Sequence, residues 1–93
     1  MREIERTTKF RRDYKREQRG RHGATLEVNL TAVLELLLND KPLPPRYRDH
    51  PPSGEWEGFR DCHVKPDLLL IYEMPDDRTL RLVRLGSHGE LGF

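Results

Sequence analysis

Five consecutive apolar residues, Leu68-Leu69-Leu70-Ile71-Tyr72, constrain this 93-residue chain more than any other stretch. Successive side chains of a strand point to opposite faces, so an extended segment of this composition is apolar on both. That suits a central strand of a sheet covered by helices. Turn formers flank it, Pro66-Asp67 before and Pro75-Asp76-Asp77 after. The expected C-terminal arrangement is a three-stranded antiparallel meander: Trp56 to Val64, Leu68 to Glu73 and Leu80 to Leu85.

Upstream the apolar period changes from two to 3.6. Leu26, Leu30, Val33, Leu34 and Leu37 recur at i, i+4, i+7, i+8 and i+11, the pattern of a core-facing helix, with Leu36 and Leu38 widening the face. Thr25 is placed to cap it, and Asn39-Asp40 followed by Pro42 ends it. Lys9 to Arg19 reads as an earlier helix, capped by Thr7 or Thr8 and stopped by Gly20. Its apolar face is only Phe10 and Tyr14, so it must borrow stability from packing. Ile4-Glu5-Arg6-Thr7 can form a short first strand. Between the second helix and the meander lies an extended loop, residues 41–54, holding Pro42, Pro44, Pro45, Pro51, Pro52 and Gly54. The order is β-α-α-β-β-β in one α+β domain, residues 1–93. Hydrophobic content of 34% against 35% charged supports a thin core of two layers.

Charge is unevenly spread. Residues 1–23 carry nine Lys/Arg against four acids, an excess of five; with a net charge of +1, the remainder sums to −4. Lys9, Arg11, Arg12, Lys15 and Arg16 form either a nucleic-acid contact or a solvated helix face. No apolar run approaches the roughly 20 residues of a membrane span, and the charged N-terminus lacks a signal-peptide core. A single cysteine, Cys62, excludes an intrachain disulfide and fits a reducing compartment, so the cytoplasm is the expected location.

Three of the four histidines lie beside turn-forming or charged residues in the second half: His50 in Asp49-His50-Pro51, His63 in Arg60-Asp61-Cys62-His63, and His88 in Arg84-Leu85-Gly86-Ser87-His88. His22, between glycines, reads as an ordinary loop residue. Strand alternation puts Asp61 and His63 on one face and Arg60 and Cys62 on the other, with Arg84 in register with Leu80 and Leu82. Arg84 can pair with Asp61 or Glu57. Trp56 reads as a core or hinge aromatic rather than a stacking platform. No CxxC or HxxxH spacing supports a metal, and no cofactor is expected. Acid–base chemistry explains more: RNA cleavage needs a base for the 2′-hydroxyl, an acid for the leaving 5′-oxygen, and cations for the phosphorane. Histidine, aspartate and arginine supply all three. A non-catalytic nucleic-acid-binding module and a metal-dependent nuclease are the alternatives.

Asp49-His50-Pro51, then Gly54-x-Trp56-x-Gly58-Phe59-Arg60-Asp61-x-His63-Val64-x-Pro66-Asp67-x-x-Leu70-Ile71-Tyr72, then Arg84-x-Gly86-Ser87-His88-x-x-Leu91, resembles the YafQ branch of the RelE-like toxins. The resemblance covers nearly the whole chain. It implies a microbial-ribonuclease-like fold, a two-helix hairpin on a curved antiparallel sheet whose first strand joins the later ones. It also implies a ribosome-dependent endoribonuclease that cuts mRNA in the A site of the 70S ribosome, with codon preference, AAA being the best known. By motif, His50, His63, Asp67 and His88 become the catalytic set, and Arg84 and Arg60 the phosphate-binding arginines. Asp67 or His50 would be the base and His88 the acid, with His63 and Arg84 stabilising the phosphate. An antitoxin whose C-terminal segment wraps the toxin is implied as partner, in a heterotetramer that binds operator DNA. Two positions depart from the family pattern: Leu68 stands where Trp is common, and Gly92 where an aromatic is, with Phe93 one step later.

Overall fold

The computed structural model describes residues 1–51 and 58–92. Its elements are β1 (Glu3–Arg6), α1 (Thr8–Gln18), α2 (Leu26–Leu38), β2 (Arg60–Lys65), β3 (Leu68–Glu73), β4 (Thr79–Gly86) and a terminal turn of helix, α3 (His88–Leu91). Short 3₁₀ turns at Gly23–Thr25 and Pro45–Tyr47 join them. The strands form one sheet in the order β1-β4-β3-β2. The β2-β3-β4 meander is antiparallel as expected, but β1 runs parallel to β4, Ile4 against Leu80 and Arg6 against Leu82. The sheet is therefore mixed; the long crossover through α1 and α2 makes a parallel return possible. β2 begins at Arg60, later than expected, and Trp56 and Glu57 lie outside the described residues.

β3 is the interior strand its composition demands, buried from Leu68 to Tyr72. On one face Leu68, Leu70 and Tyr72 pack with Leu80, Leu82 and Leu85 under Phe10 of α1 and Leu26, Leu30, Val33 and Leu37 of α2. On the other, Leu69 and Ile71 meet Leu91 of α3, with Phe59 and Val83 beside them. The helices thus cover one face, and α3, unanticipated from the sequence, helps cover the second. Thr25 precedes α2 without a side-chain capping bond.

α1 is capped by Thr7, whose hydroxyl oxygen accepts from the Phe10 amide at 3.0 Å. Its apolar face is as narrow as expected, yet Asp13 and Glu17 are also buried. The sheet edge explains Asp13. β1 stops opposite Leu82, which would leave the rest of β4 with unpaired backbone groups. Side chains of the Thr7–Arg16 segment take over: Thr7 Oγ1 donates to the Val83 carbonyl at 2.8 Å, Asp13 Oδ2 accepts from the Leu85 amide at 3.0 Å, and Arg16 Nη2 donates to the Leu85 carbonyl at 2.7 Å. Asp13 also holds Arg84 (Nε–Oδ2 2.7 Å) and Arg16 (Nη1–Oδ1 2.9 Å). Burial alone would push its carboxyl up, but bonds from Arg84 and Leu85 and the charges of Arg84 and Arg16 hold it below 3.8.

A folded-state value below the unfolded one contributes stability that is present above the unfolded value and is lost as pH falls through the folded one. Stability should therefore fall in acid below 3.8 through Asp13. Asp13→Ala, which takes from Arg84 and the Leu85 amide their shared partner, should lower the unfolding free energy by about 3 kcal/mol with little change in denaturant dependence. A urea titration by circular dichroism at neutral pH, repeated near pH 3, measures both effects.

Candidate active site

The histidines are assembled by backbone pairing. After the Pro45–Tyr47 turn, Arg48 adopts a left-handed conformation, φ 47°, and swings the chain against β2. His50 then bridges Asp61 in antiparallel fashion, amide to carbonyl at 3.0 Å and in return at 2.9 Å. The loop thus delivers His50 by a fixed backbone bridge. Its Nε2 stands 3.1 Å from Asp61 Oδ1. Asp61 and His63 share a face as alternation requires, opposite Ile71 and Leu69. The His63 and His88 rings meet edge-on with centroids 5.4 Å apart. Asp61 and His63 are buried, whereas His50 and His88 are exposed.

Ring orientations limit the protonation states. A backbone carbonyl only accepts, so His63 Nδ1, 3.2 Å from the Pro66 carbonyl, must carry a proton, which leaves Nε2 of the neutral ring free to accept one. His50 Nδ1 donates to the Pro51 carbonyl in the same way at 3.2 Å. Its Nε2 then faces a carboxylate, so His50 and Asp61 are compatible only when one proton lies between them. Burial raises the Asp61 carboxyl above 3.8; His50, His63 and His88 pull it back in part, and Asp49 adds to the rise. No well-aligned hydrogen bond reaches its Oδ1 among the described residues.

The structure therefore brings His50, His63 and His88 together around Asp61, a residue the sequence placed on the right face without assigning it to the site. Asp67 stands at the β2–β3 turn, with Oδ1 2.8 Å from His22 Nε2 and Oδ2 against Arg21. His22 is thus no idle loop residue. A contact across 45 positions leaves no periodic trace in a sequence.

Arg84 departs from its expected register. A bulge makes Val83 the extra residue, so Leu82 faces Tyr72 while Arg84 faces Ile71, on the histidine side. Its partner is Asp13 rather than Asp61, through Nε at 2.7 Å and Nη2 at 3.3 Å, which leaves Nη1. Arg60 lies on the opposite face, bonded to Asp49 Oδ1 at 3.2 Å, and Tyr72 donates to the same oxygen at 2.5 Å. Arg60 therefore anchors the loop that carries His50. Of the basic residues on α1, Lys9, Arg11, Arg12 and Lys15 are exposed, but Arg16 is committed to Asp13, Glu17 and Glu90. His50, Asp61 and His63 offer ligand atoms within 4.8 Å of one another, so these three could hold a metal ion, a grouping that linear spacing did not reveal.

The two buried aspartates should titrate on opposite sides of 3.8, Asp61 above and Asp13 below. For Asp61 the stability sign also reverses: it is the ionised form that burial disfavours, so its contribution worsens as pH rises through its folded value. Carboxyl ¹³C NMR on selectively labelled protein reads both values; an Asp61 value at or below 3.8 would refute the account of its burial.

Residues 2–92 match the family model of the bacterial toxin of type II toxin–antitoxin systems, YafQ. The mRNA interferase toxin YafQ of Escherichia coli K12 is 41% identical over 91 residues, 98% of this chain and 96% of that one. The crystal structure of the E. coli DinJ–YafQ complex superposes with a TM-score of 0.82 at 39% identity, covering 98% of both chains. A metal-bound toxin from Helicobacter pylori superposes at 0.86 with 46% identity, covering 98% of this chain and 99% of that one. The chain belongs to the YafQ family of bacterial toxins of type II toxin–antitoxin systems.

Proposed function

We propose that residues 1–93 act as one domain that cuts mRNA in the A site of the 70S ribosome, in the cytoplasm, by metal-independent acid–base chemistry. The observation that carries this reading is the cluster itself: exposed His50 and His88 flank buried His63 and Asp61, all on one sheet face. In the reaction a base takes the 2′-hydroxyl proton, and the oxygen attacks the adjacent phosphorus. The bond to the 5′-oxygen breaks as an acid protonates it, leaving a 2′,3′-cyclic phosphate and a 5′-hydroxyl. His88 is the acid, and His50 or Asp67 the base. His63 and the Nη1 of Arg84 stabilise the charge on the phosphorane, Arg84 being aimed by Asp13. The mRNA interferase name of the E. coli relative supports the same activity.

The partner in this reading is an antitoxin, as DinJ is for YafQ in the neighbouring complex. A recess of about 490 Å³ between α1 and α2 has an apolar floor of Phe10, Leu30 and Leu34 and a rim including Arg6, Arg11 and Lys15. That combination fits an acidic amphipathic segment. In the free toxin Lys9, Arg11, Arg12 and Lys15 are available to ribosomal RNA, and their contribution should weaken with salt. The toxin–antitoxin heterotetramer would bind operator DNA.

Expression without antitoxin should arrest growth and create new mRNA 5′ ends on translated messages, read by primer extension. His88→Ala should lower cleavage by roughly 10²–10⁴-fold. Cleavage should persist in EDTA. Its loss there would transfer His50, Asp61 and His63 to a metal-dependent mechanism, for which their grouping is the structural basis. Arrest without new ends would favour a binding inhibitor.

A further inference from the structure

We propose that His22 is a positioning residue that fixes the Asp67 carboxylate for catalysis. The inference rests on the reading of Asp67 as a catalytic group. Asp67 follows Pro66 at the tip of the β2–β3 turn, where a short side chain is free to change rotamer unless something holds it. The Pro66 carbonyl one residue earlier is bonded to His63, so the tip is tied to the histidine cluster on one side. On the other it is tied to the connector between α1 and α2, through His22 Nε2 at 2.8 Å from Asp67 Oδ1.

The two cations on Asp67 are not equivalent. Arg21 is 77% exposed, so its ion pair lies in water, is screened by salt and contributes little. The His22 side chain is 16% exposed. Its backbone is also pinned: the Thr25 amide donates to the His22 carbonyl at 3.2 Å, and the Gly23 amide to the Gly20 carbonyl at 3.0 Å. At Gly23 a Cβ would come within 2.1 Å of the Gln18 carbonyl oxygen, so the connector lies hard against the end of α1 and the ring has a fixed base. His22 therefore holds Oδ1, while Oδ2 is released whenever Arg21 swings into solvent. Asp67 then presents one oriented oxygen to the substrate.

The test is a double-mutant cycle on purified toxin acting on ribosomes programmed with a defined mRNA, with kcat and KM measured separately. Asp67→Asn should lower kcat. His22→Ala should lower kcat roughly 10- to 100-fold, the scale of misplacing a reacting group, with KM nearly unchanged. His22→Ala added to Asp67→Asn should cost little more, because its effect passes through a carboxylate already gone. His22→Gln, which keeps an N–H donor, should restore most of the rate, whereas a purely structural role would show only as a lowered Tm. A wild-type rate for His22→Ala, losses that multiply in the double mutant, or a His22→Gln variant as slow as His22→Ala would each overturn the proposal. A wild-type rate for Asp67→Asn would instead overturn the catalytic reading of Asp67 beneath it.

Discussion

The Asp13 carboxylate, 3% exposed, is the contact on which the rest of the structure depends. It substitutes for the strand residue that β1 is too short to provide, accepting the Leu85 amide and so ending the sheet edge with a helix instead of another strand. From it the constraint spreads in two directions. One arm fixes Arg84, which the β4 bulge has already turned to the histidine face. The other passes through Arg16 to Glu90, whose side chain accepts the Ser87 amide while Ser87 caps Glu90 in return. That capping box starts α3 at His88. Gly86 belongs to the same arrangement, since a Cβ there would meet Arg16 Nη2 at 2.7 Å. A charge buried under α1 thus decides where a histidine at the far end of the chain stands.

Asp13 and Asp61 show how surroundings assign different duties to one residue type. Both are buried and lie close to basic side chains, arginines for Asp13 and histidines for Asp61. Asp13 receives aligned donors on both oxygens, so its charge is stabilised and it is confined to structure. Among the described residues Asp61 Oδ1 has no well-aligned donor, only the His50 ring with Nε2 3.1 Å away. Burial pushes that carboxyl above its usual value, where Asp13 is held below it.

The elements that depend on local pattern were legible: the β3 run, the α2 leucines, the Thr7 cap and the pairing of Asp61 with His63 on one face. The family pattern named His50, His63 and His88 as members of one site, and the fold brings them together. What escaped was of another kind. A bulge changes strand parity without altering composition, so Arg84 was assigned to the face of Leu82. Parallel pairing of β1 depends on a crossover that no local segment encodes. The burial of Asp13 depends on an edge supplied by residues far along the chain, so nothing within α1 marks it. His22 looked idle for the same reason. The ion pair of Arg60 with Asp49, the residue before His50, likewise joins positions that no local pattern links.

The two departures from the family pattern have clear structural consequences. Leu68 is fully buried, in the cluster under the helices, so position 68 offers nothing to stack on a base. Gly92 has φ 82° and caps α3 through its amide on the Gly89 carbonyl, a conformation in which an aromatic residue would be strained. Both sites use their residues for folding here. In the proposed reaction, the groups among the described residues that stand outside the core and could meet a base include His88, His50 and the exposed cations of α1. Imidazole faces can stack on a base, and guanidinium and ammonium groups hold the backbone.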